Sequence, residues 1–115
     1  MHKLDTKHVK KIRKIQDKSI YPIDCEIGVL NIDPVLQKEL KANLLHACYY
    51  LGNAYAAEYS MRGSITCVLD AIDSVNKNLA LLSEREDVHF RRFYDDLKNV
   101  KTEMLLLISE LIELI

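Results

Sequence analysis

The chain of 115 residues contains no tryptophan, only three glycines and only two prolines. A fold made of many short strands needs frequent turns, and turns use glycine and proline heavily. Their scarcity therefore disfavours such a fold and favours a few long helices. The length is typical of a single domain. We predict one helical-bundle domain over residues 1–115, an all-α, up-down four-helix bundle with a short irregular segment between helices one and two.

Cysteine is also scarce in this chain. Cys25, Cys48 and Cys67 stand far apart, and no Cys-x-x-Cys sequence occurs. This spacing matches neither a disulfide framework nor a zinc knuckle. We predict buried, reduced thiols in a cytoplasmic protein.

Long hydrophobic runs are absent. The longest charge-free stretch, residues 42–57, contains His46 and two asparagines and is shorter than the ~20 residues that span a bilayer. The N-terminus is polar and charged, unlike a secretory signal sequence. We therefore predict no membrane partner.

Hydrophobic periodicity predicts helices over residues 3–20, 34–62 and 65–82, and a fourth helix that follows a capping box at residues 83–86 and runs to the C-terminus. Pro22 disfavours helix in the residues before it, so residues 21–34 are predicted to be irregular. The other signals are the Asp33-Pro34 helix start, a turn at Gly63-Ser64, and a capping box from Ser83 to Glu86. The last boundary has neither Gly nor Pro, so one continuous helix in place of helices three and four is the alternative. The predicted core stripes are Leu36, Leu40, Leu44, Ala47, Cys48, Leu51 and Tyr55; Ile65, Val68, Leu69, Ile72, Val75, Leu79 and Leu82; and Phe90, Phe93, Leu97, Val100, Met104, Ile108, Leu111 and Ile115.

Charge is distributed unevenly along the chain. The net charge is −1, yet residues 1–18 carry seven Lys or Arg against Asp5 and Asp17. At about 100° per helical residue, six lysines fall within one arc of about 100°. These candidate nucleic-acid-binding residues are Lys3, Lys7, Lys10, Lys11, Lys14 and Lys18.

This one-sided basic face has three interpretations. A solvated bundle face usually mixes charge signs, because like charges at i,i+4 repel. A membrane-surface helix usually carries Trp, Phe or Leu on its apolar side, and this segment has only Leu4, Val9, Ile12 and Ile15 there. Contact with a nucleic-acid backbone, RNA or DNA, is the prediction that we adopt, and base reading is not expected without more Arg, Asn and Gln.

The C-terminal segment "MLLLISELIELI" is more hydrophobic than one buried helix face requires. Nine of its twelve residues are apolar, whereas about three to four in seven are enough for a bundle helix. Leu105, Leu106, Ile112 and Leu114 lie outside the main stripe and are predicted to form a homo-oligomer interface. The alternative is a central helix that its own chain covers on several sides.

Catalytic and metal-binding motifs are not evident in the sequence. No phosphate-binding Gly-rich loop occurs, and a ferritin-like metal site would need a second copy of the single Glu86/His89 pair. Small helical ribonucleases of the HEPN superfamily carry Arg, four to six residues, then His. Here Arg85 and His89 have three residues between them, and we interpret the match as chance. We predict no enzymatic activity, no catalytic residues, no metal and no cofactor.

The helix order resembles a known layout. The long helix that starts at Pro34 is followed by "VLDAIDSVNKNLALL" (residues 68–82) and by the apolar "VKTEMLLLISELIEL" (residues 100–114). This layout is similar to that of the accessory variability determinants of diversity-generating retroelements and of proteins encoded in ribosomal RNA intervening sequences. The resemblance implies a ring-forming homo-oligomer, typically a pentamer, that binds nucleic acid and a partner protein such as a reverse transcriptase.

The sequence thus predicts a non-enzymatic, oligomeric helical adaptor that binds nucleic acid through its basic N-terminal helix and a partner protein through another surface. The first alternative is a protein–protein interaction or regulatory module of bacterial or phage origin without nucleic-acid binding. The second alternative is a helical ribonuclease-like protein.

Overall fold

The computed structural model describes residues 4–56, 60–85 and 87–115, and these residues form an all-α bundle of four antiparallel helical rods. The first rod consists of α1 (Thr6–Lys14), a π-helical turn (Ile15–Ile20) and α2 (Tyr21–Gly28). The other three are α3 (Pro34–Ala54), α4 (Met61–Ser83) and α5 (Val88–Glu113). The predicted up-down four-helix bundle is confirmed.

The first rod continues past Pro22, where an irregular segment was predicted. The prediction is wrong over residues 21–28, and the irregular segment between rods one and two is only residues 29–33. The π turn explains this: the Tyr21 N–H donates to the Gln16 carbonyl, an i→i−5 bond that ends the first helical register. Pro22 then falls in the first turn of α2, where a backbone donor is not needed.

The α3–α4 connection also differs from its prediction. Asp33 and Pro34 do start α3, and Asp33 Oδ2 accepts a hydrogen bond from Leu36 N at 3.2 Å. However, α3 ends at Ala54 rather than near residue 62, and Ser60 caps α4 by accepting from the Gly63 N–H. The predicted turn at Gly63 is therefore wrong, because this glycine lies in the first turn of α4.

The α4–α5 boundary was predicted at a capping box that starts at Ser83, but Ser83 is not the N-cap of α5. Ser83 is the last residue of α4, and its hydroxyl donates to the Ala80 carbonyl at 2.9 Å. Asp87 caps α5 instead, with Oδ1 accepting from His89 N at 2.8 Å. Glu86 lies outside the described residues.

The contacts between the rods determine which helix faces remain exposed to solvent. α3 packs most extensively on α4, α4 packs on α5, and the first rod closes the bundle against α3 and α5. α5 runs antiparallel to the first rod, as the Lys11–Glu110 and Arg92–Glu26 ion pairs show. α3 and α5 therefore lie diagonally across the bundle, and each keeps one face open to solvent.

The predicted core stripes are largely buried. Leu40, Leu51, Phe93 and Leu97 are among the fully enclosed side chains. Two predicted core residues are instead exposed: Leu69 at 45% lies at the edge of the inner face of α4, and Ile115 at 58% lies past the end of α5. No helix in the described ranges is both long and apolar enough to cross a membrane.

Candidate nucleic-acid interface and exposed apolar faces

The basic surface predicted for the first helix lies on α1 and the π turn. Lys7, Lys10, Lys14 and Lys18 are exposed, and none forms an ion pair with another described residue. We call these four the lysine face. Lys3 lies outside the described residues. The lysine face therefore presents cationic groups that are available to an anionic partner.

Lys11 differs from the other lysines because its charge is matched inside the bundle. Its Nζ donates to both carboxylate oxygens of Glu110 on α5, at 2.9 and 2.6 Å. This hydrogen bond is the main reason why the pKa of Glu110 lies below its ordinary value. Lys11 thus joins the first rod to α5 and is less available to a phosphate than the lysine face.

A buried histidine lies beside this ion pair. His8 Nδ1 is 2.6 Å from Asp5 Oδ1, and His8 Nε2 is 3.5 Å from Glu110 Oε2. Asp5 also caps α1, and the hydrogen bond from the His8 backbone N–H lowers the pKa of Asp5. The cluster fixes the start of α1 against the last turns of α5.

Arg13 borders the lysine face, and sequence reasoning did not name it as a site residue. Its guanidinium carbon lies 5.1 Å from the centroid of the Tyr55 ring, within cation–π distance. The Tyr55 hydroxyl donates to Gln16 Oε1 at 3.1 Å, and Gln16 Nε2 donates to the Cys48 carbonyl at 2.8 Å. This chain of contacts orders the α3-facing edge of the basic surface, whereas the α5-facing edge is acidic at Glu110.

The four apolar residues predicted as an oligomer interface all lie on the surface, three on α5 and Leu114 directly after its last residue. Leu105, Leu106, Ile112 and Leu114 are 45, 62, 56 and 49% exposed, so the chain itself does not cover them. They do not share one side of the helix. Leu105 and Ile112 are seven residues apart and lie together, whereas Leu106 is rotated by about 100° from Leu105 and Leu114 by about 180°.

A second exposed apolar row lies on α3, and the sequence analysis missed it. Val35, Leu45 and Tyr49 are 65, 69 and 64% exposed. Together with Ala42 they follow the alternating three- and four-residue spacing of a helix–helix contact. That spacing was visible in the sequence, but the neighbouring inner stripe has the same spacing and longer apolar side chains.

Arg85 and His89 come together at the end of the bundle that lies opposite the start of α1. Both line a cleft of about 450 Å³ between the residue 29–33 segment and the α4–α5 connection, with Phe90 also in its wall. The cleft also contains Asp33 and Asp87, whose carboxylates cap α3 and α5. Two carboxylates thus accompany the two basic side chains, and no described contact joins Arg85 to His89.

Comparison with known proteins gives no match. No protein-family model, curated protein or solved structure shows significant similarity to this chain.

None of the three cysteines forms a disulfide bond, and they differ in exposure. Cys67 is buried and Cys48 is half-buried, but Cys25 is exposed, so the prediction of buried thiols is wrong for Cys25. Burial is the main cause that raises the pKa of Cys48 to about 11. Among the described residues, no group of three or more His, Cys, Asp or Glu side chains is arranged to hold a metal ion.

Proposed function

We propose that this protein is a non-enzymatic helical adaptor that binds a nucleic-acid backbone through the lysine face and assembles through apolar side chains of α5. The observation that carries the proposal is the exposure of Lys7, Lys10, Lys14 and Lys18 without ion-pair partners among the described residues. Ammonium groups bind phosphates as point charges, and contacts to phosphates carry no sequence information. The expected ligand is therefore RNA or DNA of any sequence.

The dimensions of the lysine face suit a phosphate backbone. Lys7 and Lys18 are eleven residues apart, which corresponds to about 16 Å along a helix. Duplex DNA carries one charge per about 1.7 Å of axis, so a surface of this length meets several phosphates. Each contact releases condensed counterions, and the affinity should therefore fall steeply with salt.

The test changes the lysine face to the opposite charge. Lys7→Glu, Lys10→Glu and Lys14→Glu together should weaken binding to RNA and DNA and flatten the slope of log affinity against log salt. The expected slope is about −0.7 to −0.9 per phosphate contacted. Fluorescence anisotropy with a labelled oligonucleotide, from about 50 to 200 mM salt, measures both quantities.

A matched control makes the same change of net charge elsewhere. Arg85→Glu, Arg91→Glu and Lys98→Glu alter exposed residues of the α4–α5 connection and of α5 and should leave most of the affinity in place. If the wild type shows no binding near 50 mM salt, or if both triple variants weaken binding equally, the lysine face is not the interface.

Assembly through α5 is tested independently of nucleic acid. Leu106→Glu with Leu114→Glu places charge on side chains that are 62 and 49% exposed, so helix content should be kept. If these side chains are buried between subunits, light scattering should show dissociation, because an unpaired charge in an interface is costly. An unchanged molar mass would show that assembly does not use them.

The partner that the sequence resemblance implies is a protein such as a reverse transcriptase, and the cysteine spacing favours a cytoplasmic location. A protein-interaction module without nucleic-acid binding is the second candidate. The Lys11–Glu110 ion pair favours this candidate, because it neutralises one of the six predicted basic contacts. The anisotropy experiment separates the two functions.

A further inference from the structure

The solvent-facing side of α3 combines large and small side chains in one row. Val35, Leu45 and Tyr49 project large apolar groups. Lys38 and Ala42 are exposed between them, and half-buried Gly52, which lies beside Gln16 of the first rod, follows near the end of the helix. The steps of three, four, three, four and three residues keep this α3 row along one side of the helix.

The α3 row is complementary to itself. If two copies of α3 are laid antiparallel with Ala42 opposite Leu45, Lys38 falls opposite Tyr49 and Val35 opposite Gly52. Val35 and Leu45 then each face a small residue, and Tyr49 faces Lys38, a favourable cation–π arrangement. Each of these residue pairs occurs twice in the dimer, because a two-fold axis relates the copies.

The charges that flank the row fit the same register. Glu39 and His46 are both exposed, and they lie on the side of the row that faces α4. In the antiparallel register, Glu39 of each copy comes next to His46 of the other. An imidazole N–H can donate to a carboxylate in either protonation state of the ring, so the complex gains two polar contacts at its rim.

The surface beside the row provides room for a second copy. A groove of about 420 Å³ runs between α3 and α4, with Ala42, Ala80 and Leu81 in its wall and Glu39 and Lys77 at its edges. Leu45 of an antiparallel copy lies opposite Ala42 and can enter this groove. Knob-into-hole packing of this kind excludes water from both surfaces.

We propose that the α3 row is a two-fold interface between two copies of this chain, paired antiparallel through α3 in the register of Ala42 and Leu45. This interface is separate from the apolar residues of α5, which lie on the diagonally opposite rod. A protein that used both surfaces would carry two different self-contacts.

The first experiment measures molar mass by light scattering after size exclusion. Leu45→Glu should at least halve the molar mass while the helical circular dichroism signal is kept, because Leu45 is exposed and contributes little to its own fold. The matched control is Val88→Glu, which changes another exposed apolar residue (81% exposed) outside α3. The proposal is overturned if Leu45→Glu has the mass of the wild type.

The second experiment tests the register and the identity of the occupant. In the His46→Glu dimer, two carboxylates repel each other at each of the two symmetry-related contacts between positions 46 and 39. The dimer dissociation constant should therefore rise by about tenfold or more. Adding Glu39→Lys in the same chain should restore most of the affinity. If the double variant is as weak as His46→Glu alone, α3 does not pair antiparallel with a second copy.

The two self-contacts can be distinguished in one series. If the dimer persists in the Leu106→Glu, Leu114→Glu variant and is lost in Leu45→Glu, its interface is on α3, whatever the role of α5. A wild type that is monomeric in light scattering at high concentration overturns the α3 proposal directly, and it leaves the nucleic-acid function to its own binding test.

Discussion

The buried asparagine on α4 gives the most quantitative prediction about the fold. Asn78 has no solvent exposure; its Nδ2 donates to the Leu40 carbonyl at 2.9 Å, and its Oδ1 accepts from Asn43 Nδ2 at 2.8 Å. In Asn78→Ala, two hydrogen bonds worth about 1 kcal/mol each are lost. The lost packing costs about 1 kcal/mol more, and the higher helix propensity of Ala recovers about 0.7 kcal/mol.

The net destabilisation should therefore be about 2 kcal/mol, which corresponds to a Tm decrease of about 8 °C at this chain length. Urea and thermal unfolding followed by circular dichroism measure it. Asn76→Ala on the same helix is the control, because half-buried Asn76 makes no hydrogen bond to another described side chain and gains the same helix propensity. With Asn43→Ala, the double-mutant cycle should give a coupling of about 1 kcal/mol. A cost below about 0.5 kcal/mol for Asn78→Ala, or strict additivity with Asn43→Ala, would refute the reasoning.

Two further predictions concern titratable groups. Because Lys11 lowers the pKa of Glu110 in the folded state, the stabilisation is present above the unfolded pKa and is lost as the pH falls through the folded pKa. The stability difference between wild type and Glu110→Gln should therefore be largest well above the ordinary glutamate pKa of 4.5 and should shrink as the pH falls below it in urea unfolding; a constant difference would contradict this. For the thiols, a disulfide reagent near pH 8 should modify exposed Cys25 quickly and Cys48, with a pKa of about 11, slowly; a fast phase that persists in Cys25→Ser would show otherwise.

The fold class could be predicted because burial imposes the helical period on the sequence itself. Leu36, Leu40, Leu44 and Leu51 are all enclosed in α3, and the Asp33-Pro34 start was identified from the chemistry of its cap. These features depend on neighbours within a few residues. Local sequence is therefore sufficient for them.

The ends of the helices could not be read in the same way. Pro22 and Gly63 are strong local signals for breaks, yet both lie in first turns of helices, where their backbone preferences are harmless. The π turn that precedes Pro22 contacts both α3 and α5, and no pattern in residues 15–20 predicts it.

The sequence predicted which lysines of the candidate site are exposed, but not which side chains of the bundle contact its basic residues. The lysine face follows from spacing on one helix. The pairing of Lys11 with Glu110 joins residues that are 99 positions apart, and the contact of Arg13 with Tyr55 also crosses between rods. Such pairs exist only after the bundle has closed.

The unequal packing of the four rods has a consequence for native-state motion. α3, α4 and α5 pack extensively on their sequence neighbours, whereas the first rod packs less extensively on α3 and α5. Its contact with α5 joins residues that are 99 positions apart in the sequence. Closing so long a loop costs entropy that the three-helix meander does not lose. The first rod is therefore the cooperative unit expected to open at lowest free energy, with the earliest amide exchange in the molecule. If the proposed polyanion binds only when this rod is packed on the bundle, its binding should slow the exchange of the same amides.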